Sequence, residues 1–404
     1  MKTFAFIAAA LVAPVLAAPA PRPIPINKRA GPVKEDSYII KLKDGVSVDS
    51  HLAQFTGSSD SQNTEVVYKY DDVFNGYAGV IKGPMLDSIR SSPDVEFIQA
   101  DTIYNINWEE GDESLASREI HNQKLPNLAE RGANGEGIDI YGLDTGILTT
   151  HTCFGGRATW GATFGQGYKD SDGNGHGTHT AGTAAGTGFG LATAAKVIAV
   201  KVCSDAGQCA GSDIVAGIEY VVKQAGSSGR PSIATMSLGG EGDAAIDAAT
   251  SAAITRGIHF TVAAGNDNHD ASGDSPARVA AANTIGAVDI SNRKASFSNF
   301  GCKCSLRLVE CTLLIAWCSF FAAVVDVWAL GVNVLSAWNT SNSATNTISG
   351  TSMATPHVAG IVAVVLGNRG QMKPAELSAA LLKNAKPLVI GVPSGTTNLL
   401  AQVW

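Results

Sequence analysis

The sequence has little charge and no run of lysine and arginine. Only 16% of its 404 residues are charged, and the formal net charge is −7 at pH 7. Proteins that bind nucleic acid or an anionic membrane surface carry clusters of basic residues. We therefore expect neither a nucleic-acid partner nor a membrane partner.

Cysteine is also scarce outside one segment. The chain has seven cysteines, and four of them lie within residues 302–323. The other three are Cys153, Cys203 and Cys209, too few for a disulfide-stapled scaffold, so a hydrophobic core must stabilise the fold. Cys203 and Cys209 flank a short turn and could pair, although unpaired buried cysteines are equally ordinary.

Hydrophobic residues and glycine are abundant. Hydrophobic residues make up 45% of the chain, and 44 residues are glycine. This composition supports one large domain and a smaller one, with many tight turns. Such loops commonly carry function in proteins built on a rigid scaffold.

The first residues, "MKTFAFIAAALVAPVLAAPAP", have the pattern of a secretory signal. One lysine precedes an apolar stretch over residues 4–17, and small residues follow it. A membrane anchor is the weaker alternative, because the stretch is shorter than about 20 residues and contains Pro14. We predict a signal peptide over residues 1–17 and a secreted, extracellular protein, with the vacuole as the alternative destination.

Two regions with different patterns follow the signal. Residues 18–107 contain strand-like "SYIIKLK", "GYAGVI" and "VEFIQADTIYNI" with a helical "MLDSIRSS", which predicts a small α+β domain. The polar stretch "NWEEGDESLASREIHNQK" then predicts an exposed linker and a boundary near Asn107. Within residues 108–404, apolar strands alternate with helices from about Gly132, so we expect an α/β domain whose parallel sheet has helices on both faces.

Three glycine-rich stretches place reactive side chains beside predicted strand or helix ends. They are "YGLDTGI" with Asp144, "DGNGHGTHTAGT" with His176, and "ISGTSMATPHVAG" with Ser352. A serine nucleophile needs a base, and the base needs a carboxylate to orient it. Taken singly, these residues could be a turn aspartate, a loop histidine and a helix N-cap. Together, in the chain order Asp, His, Ser, they predict a catalytic triad.

These motifs resemble those of subtilisin-like serine proteases. The residue sequences of the His176 and Ser352 motifs resemble those of the proteinase K branch. The resemblance covers about residues 135–300 and 324–404, and residues 18–107 resemble the inhibitory propeptide of that family. It implies a secreted, autoprocessed zymogen that hydrolyses proteins and peptides and is inhibited by its own propeptide. It also implies that Asp144 orients His176, that His176 is the general base and acid, that Ser352 attacks, and that Asn266 completes an oxyanion hole.

The same resemblance implies a substrate cleft between two strand edges, "MSLGG" and "SDAGQCAG". Peptides would bind there as an added strand, with small residues lining an open apolar pocket. The alternative is that these residues are only buried strand ends and turns. The substrate-binding residues implied are Ser237, Leu238, Gly239, Gly207, Ala263 and Gly265.

Some residues depart from the family pattern, and others that lie in its motifs are expected to have a structural rather than a catalytic role. Thr180 stands where the branch often has cysteine, and His179 and His357 are expected to be structural. Asp326 matches a calcium-ligand carboxylate of the branch, but calcium binds six to eight oxygens, so one carboxylate leaves a structural calcium open. The chemistry requires no cofactor, and we expect a monomer.

The segment "CKCSLRLVECTLLIAWCSFFAA", residues 302–323, interrupts the resemblance with sharp edges, and we predict that it is translated intron. Cys-Lys-Cys can be encoded with the splice-donor sequence GTAAGT, and Phe-Phe-Ala-Ala with a pyrimidine tract followed by CAG. Excision keeps the reading frame and leaves one serine codon between Gly301 and Val324. The alternative is a genuine surface insertion.

Two other functions compete with a protease. One is a catalytically inactive binding protein with a subtilisin fold, and the presence of every reactive residue disfavours it. The other is a membrane-anchored interaction protein with residues 311–325 as its anchor. A spanning helix there would separate Asn266 from Ser352, which disfavours that hypothesis as well.

Overall fold

A computed structural model describes residues 22–29, 31–55, 64–112, 134–301 and 324–404. The predicted signal peptide and the predicted intron, residues 302–323, lie outside these described residues. Within the described ranges, no helix combines the length and apolar character needed to cross a membrane.

The N-terminal domain is a small sheet covered by two helices. The strand order is β1-β5-β2-β4-β3, and only the β1–β5 pair is parallel. Met85 and Ile89, one helical turn apart, are buried against the sheet. The sequence predicted β2, β4, α2 and β5 but missed β1, α1 and β3. The elements are β1 (Ile26–Asn27), β2 (Val33–Leu42), α1 (Val48–Ala53), β3 (Thr64–Tyr70), β4 (Gly76–Ile81), α2 (Pro84–Ser91) and β5 (Val95–Asn105).

The C-terminal domain contains the remaining elements. Its strands are β6 (Glu109–Glu110), β7 (Asp139–Asp144), β8 (Ala158–Thr163), β9 (Lys196–Lys201), β10 (Gln208–Ala210), β11 (Ser232–Met236), β12 (Gly240–Glu241), β13 (His259–Ala263), β14 (Asp274–Ser275), β15 (Asn283–Val288), β16 (Val327–Leu330), β17 (Val334–Ala337), β18 (Thr345–Ser349), β19 (Lys386–Pro387) and β20 (Leu399–Leu400). Its α-helices are α3 (His176–Ala185), α4 (Gly211–Ser228), α5 (Ala244–Thr255), α6 (Thr351–Arg369) and α7 (Pro374–Asn384), with short 3₁₀ helices at Thr152–Phe154 and Ala271–Gly273.

A nine-stranded sheet forms the centre of this domain. The order is β19-β20-β16-β15-β13-β11-β7-β9-β8, and every neighbouring pair except β19–β20 is parallel. Alternate residues of β7 face opposite sides: Tyr141 and Leu143 join the core beneath α4 and α5, whereas Ile140 joins the core beneath α3 and α6. The predicted fold, a parallel sheet with helices on both faces after a small α+β domain, is confirmed.

The parallel arrangement collects functional residues at one edge of the sheet. Asp144 is the last residue of β7, Ser237 directly follows β11, and Asn266 lies three residues after β13. The carboxyl ends of parallel strands meet at one edge, so these side chains converge. Beside that edge Cys203 and Cys209 form a disulfide, while Cys153 is a buried free thiol.

The two domains are joined by carboxylates that accept hydrogen bonds. Asp101 of the N-terminal domain is fully buried and accepts from the N–H and hydroxyl of Ser212, at 2.8 and 2.7 Å, in the first turn of α4. An anion there also suits the positive end of the helix dipole. Farther along α4, Glu219 accepts the backbone N–H groups of Asp71, Asp72 and Val73 at 2.8–3.0 Å.

Candidate active site

Asp144 and His176 form a buried pair at the end of β7. The two carboxylate oxygens of Asp144 lie 2.8 and 3.0 Å from Nδ1 of His176. An ionised carboxylate can only accept hydrogen bonds, so Nδ1 carries the proton and Nε2 is left as the basic nitrogen. His176 begins α3, and Gly175 before it has φ 108°, a conformation that favours glycine.

Ser352 lies in the first turn of α6, and its hydroxyl does not form a hydrogen bond with His176 in this structure. Its Oγ donates to the carbonyl of Ser237 at 3.2 Å, and the hydroxyl of Ser237 donates to the carbonyl of Ser352 at 2.8 Å. Among the described residues, Nε2 of His176 is buried and has no hydrogen-bond partner. The structure therefore joins Asp144 to His176 but not His176 to Ser352. Such hydrogen bonds often tighten only during the reaction.

Asn266 holds a peptide carbonyl beside Ser352. Its Nδ2 donates to the carbonyl oxygen of Asn107 at 2.8 Å. Its Oδ1 accepts both the N–H and the hydroxyl of Thr351, each at 2.8 Å. Because Thr351 occupies the amide oxygen, Nδ2 must face the carbonyl of Asn107. An oxyanion formed from that carbonyl would meet this donor.

The cleft around Ser352 holds the end of the N-terminal domain. Residues 105–107 lie in it, β5 pairs antiparallel with β10, and the N–H of Ile106 donates to the carbonyl of Gly207 at 2.9 Å. Six residues were predicted to bind substrate, and all six lie at this cleft. Gly207 lies on one side of it, and the other five line its pocket. Those five are Ser237, Leu238, Gly239, Ala263 and Gly265.

Sequence reasoning missed Asp172, although it is the first residue of the quoted stretch "DGNGHGTH". Its buried carboxylate accepts five hydrogen bonds and ties the turn after Asp144 to the start of α3, which carries His176. An aspartate four residues before a histidine at a helix start could have revealed this role. The donors are Thr145 Oγ1 (2.9 Å), the N–H groups of Asn174 (3.1 Å), Gly175 (2.8 Å) and Thr178 (2.9 Å), and Thr178 Oγ1 (2.5 Å).

The other two motif histidines make structural contacts. His179 is fully buried, and its Nε2 lies 3.0 Å from the carbonyl of Val334. Burial lowers the pKa of His179 to about 3, so it stays neutral at ordinary pH. Nδ1 of His357 lies 3.0 Å from the carbonyl of Leu330. Both rings connect helices to neighbouring strands.

The calcium expectation rests on Asp326, which is 9% exposed. One of its carboxylate oxygens accepts the N–H of Thr284 at 2.8 Å. Within the part of the chain that the structure describes, no three His, Cys, Asp or Glu side chains come together in a way that could hold a metal. The side chains thus do not form a carboxylate cage, and calcium at Asp326 stays a prediction.

Comparison with known proteins identifies the class. Residues 135–401 match the model of the subtilase family, peptidase S8, and residues 37–107 match that of peptidase inhibitor I9. The chain belongs to the subtilase family: it is a serine endopeptidase that carries an inhibitor propeptide domain. The resemblance to this family is confirmed.

Individual relatives agree with that assignment. The chain is 36% identical over 412 residues to a cuticle-degrading protease of Metarhizium anisopliae, covering 97% of each protein. It is 40% identical over 354 residues to the subtilisin-like serine protease Pen ch 18 of Penicillium rubens, covering 81% of this chain and 67% of the relative. The crystal structure of a cold adapted subtilisin-like serine proteinase matches with a TM-score of 0.61 and 35% identity, covering 73% of this chain and 99% of that one.

Proposed function

We propose that Ser352, His176 and Asp144 act as the catalytic triad of this endopeptidase. Ser352 Oγ attacks the scissile carbonyl, and Nε2 of His176 takes its proton and later gives it to the leaving amine. Asp144 keeps the imidazole oriented and stabilises its charged form. The contact of both carboxylate oxygens with Nδ1 supports this role.

The charge that develops on the carbonyl oxygen needs hydrogen-bond donors. Asn266 Nδ2 supplies one, and we assign the other to the backbone N–H of Ser352. Ser352 lies in the first turn of α6, where the N–H groups and the positive end of the helix dipole favour an anion. Electrostatic stabilisation of this kind is usually the largest catalytic contribution.

The first substrate in this proposal is the chain itself, cleaved between Asn107 and Trp108. The observation that carries it is the hydrogen bond from Asn266 to the carbonyl of Asn107. On one side of that bond the strand of β5 is paired with β10, and on the other the indole of Trp108 lies 5.3 Å from the ring of His176. A peptide held at both sides has the geometry of a bound substrate.

After cleavage, the N-terminal domain would remain as an inhibitor. Its strand fills the cleft. The buried contact of Asp101 with Ser212 in α4, and the contacts of Glu219 in α4 with the backbone of residues 71–73, hold the domain there independently of the scissile bond. Activity would then require release or degradation of residues 18–107.

Mass spectrometry of the processed protein tests this proposal. Mature enzyme should begin at Trp108, and a fluorophosphonate probe should label Ser352. The Ser352→Ala chain should fold, remain uncleaved and take no label. Processing at the same bond by the Ser352→Ala chain alone would contradict the assignment. Secretion, suggested by residues 1–17, predicts activity in the culture medium rather than in the vacuole.

A further inference from the structure

The chain after Asn107 lies on the catalytic domain as an added strand. β6 pairs antiparallel with β18, and pairing continues because the N–H of Gly111 donates to the carbonyl of Thr347 at 2.9 Å. The order of this sheet is β17-β18-β6, so removal of β6 leaves one edge of β18 open. An open edge can accept an extended peptide through main-chain hydrogen bonds. The pairs are Glu109 with Ser349 and Glu110 with Ile348.

Trp108, directly after the proposed scissile bond, occupies an apolar site. Its indole is tilted by 31° against the ring of His176 and packs against a buried cluster of three side chains. Leu330 and Trp338 pack against the same cluster. An aromatic side chain gains burial and ring contacts here that a small side chain cannot. The cluster is Val334, Ile348 and Met353.

Gly111, three residues farther along, lies where a side chain does not fit. A Cβ added there would be 2.8 Å from Cγ2 of Thr347 and 2.9 Å from its carbonyl oxygen. A paired backbone carbonyl cannot move aside cheaply, so this position favours glycine. The next residue is also held, because the N–H of Asp112 donates to Oδ1 of Asn333 at 3.0 Å.

Glu109 and Glu110 contrast with Trp108 and Gly111. Both glutamates are exposed, although their backbones are paired with β18. A side chain that points into solvent contributes little to selectivity. The strand therefore fixes two side chains, at its first and fourth residues, and leaves the second and third free.

From this geometry we infer that the mature enzyme binds the leaving-group side of protein substrates as a strand along β18. It selects an aromatic residue directly after the cleaved bond and glycine at the fourth position, and tolerates any polar residue at the second and third. This inference rests on the proposed cleavage between Asn107 and Trp108, because only then does residue 108 mark the first leaving-group position.

Acyl transfer measures binding on this side of the bond. The enzyme is first acylated on Ser352 by a peptide methyl ester that ends in Ile-Asn, and an added peptide then competes with water. The peptide's α-amine attacks the acyl carbonyl, a C–N bond forms and the ester bond to Ser352 Oγ breaks. The amine proton passes through His176 to Ser352 Oγ. The ratio of coupled to hydrolysed product reports affinity for the added peptide alone.

We expect the pentapeptide amide Trp-Glu-Glu-Gly-Asp to couple roughly tenfold better than Ala-Glu-Glu-Gly-Asp or Trp-Glu-Glu-Val-Asp. The matched control, Trp-Gln-Gln-Gly-Asp, should couple like the parent. The enzyme's own amino terminus competes equally with every added peptide, so these ratios are unaffected. Equal coupling of the Trp and Ala peptides would overturn the inference, whereas absence of ester hydrolysis would overturn the proposed function itself.

A variant of Asn333 tests the far end of the strand. Asn333 has φ 51°, so Asn333→Gly removes the side-chain acceptor without straining the backbone. The advantage of the pentapeptide over the tripeptide amide Trp-Glu-Glu, which ends before the Asp112 position, should shrink several-fold. Coupling of the tripeptide should not change. An unchanged advantage would show that residues 111–112 do not bind along β18.

Discussion

The N–H of Val324 donates a hydrogen bond to the carbonyl of Gly301 at 3.2 Å, although residues 302–323 separate the two in the sequence. Both sides of this contact are anchored. The N–H of Gly301 donates to Oγ1 of Thr396 at 3.1 Å, and Val324 and Val325 are 1% and 0% exposed. If a single serine joined Gly301 to Val324, this bond would become the i to i+2 bond of a γ-turn.

We therefore predict that replacing residues 302–323 with one serine yields a folded, active enzyme. The closed contact between Gly301 and Val324 needs no longer connection, and the replacement removes four cysteines and a strongly apolar run. Soluble yield and active-site titration with a fluorophosphonate should both exceed those of the full chain. Transcript sequencing should show the shorter form. A tryptic peptide beginning at Leu308 in active enzyme would contradict the intron hypothesis.

Asp172→Asn should lower kcat by roughly ten- to a hundredfold with little change in KM. The amide has one acceptor oxygen instead of two, so the segment that positions His176 against Asp144 loses hydrogen bonds, and small misplacements of catalytic groups are costly. Because the imidazole would be less well oriented, the pH profile of kcat/KM should also shift. The exposed Asp170, changed to Asn, is the matched control. A lower Tm with unchanged kcat and pH profile would make Asp172 purely structural.

Local sequence patterns single out the proposed triad residues more readily than the contacts that surround them. Asp144, His176 and Ser352 lie in dense glycine-rich motifs, which a local pattern describes. Every residue of β7 and β11 is buried, as expected for strands of a parallel sheet covered on both faces. Helix α1 was missed because it is short and polar, although Ser47 caps it. Four of the five hydrogen bonds to Asp172 come from residues 174–178, which local reasoning could have considered. The fifth comes from Thr145 in a distant segment, and no local pattern describes that contact.

The polar stretch after Asn107 shows the same limit. Its acidic residues predicted an exposed linker, and the side chains of Glu109 and Glu110 are indeed exposed. The pattern did not predict, however, that the backbone of Trp108 to Asp112 binds along β18 and Asn333. Strand addition uses main-chain groups, so polar side chains do not prevent it.

Asn266→Ala should lower kcat about 10²–10³-fold and leave KM nearly unchanged, because the lost donor acts mainly in the transition state. Thr351→Val should cost less: it removes the hydroxyl that holds Oδ1 of Asn266 but keeps the backbone N–H that does the same. Steady-state kinetics on a short peptide amide would measure both. A loss confined to KM in Asn266→Ala would contradict the oxyanion role.

The inhibitory contact between the domains should depend on pH through Asp213. Its carboxylate accepts a hydrogen bond from the hydroxyl of Tyr68 in the N-terminal domain at 2.8 Å, and burial raises its pKa to about 6. Asp101 nearby adds to this rise, while Lys34 and Tyr68 oppose it. Because contact with Tyr68 of the N-terminal domain helps to shield Asp213 from solvent, we expect this pKa to be higher in the complex than in the free enzyme, so that the carboxyl takes up a proton when the propeptide binds. Inhibition should therefore weaken as the pH rises from about 4 to about 6, and level off above that.

Asp213→Asn isolates this effect, because the amide resembles the protonated carboxyl and does not titrate. We expect the variant to bind the processed propeptide more tightly than the parent enzyme above pH 6, and the two affinities to converge as the pH falls toward 4. The measurement is the inhibition constant of added propeptide at each pH for both enzymes. Other titrating groups, such as the buried His51 of the propeptide, affect both enzymes alike and cancel in the comparison. Parallel pH profiles for the two enzymes would show that Asp213 does not take up a proton when the propeptide binds.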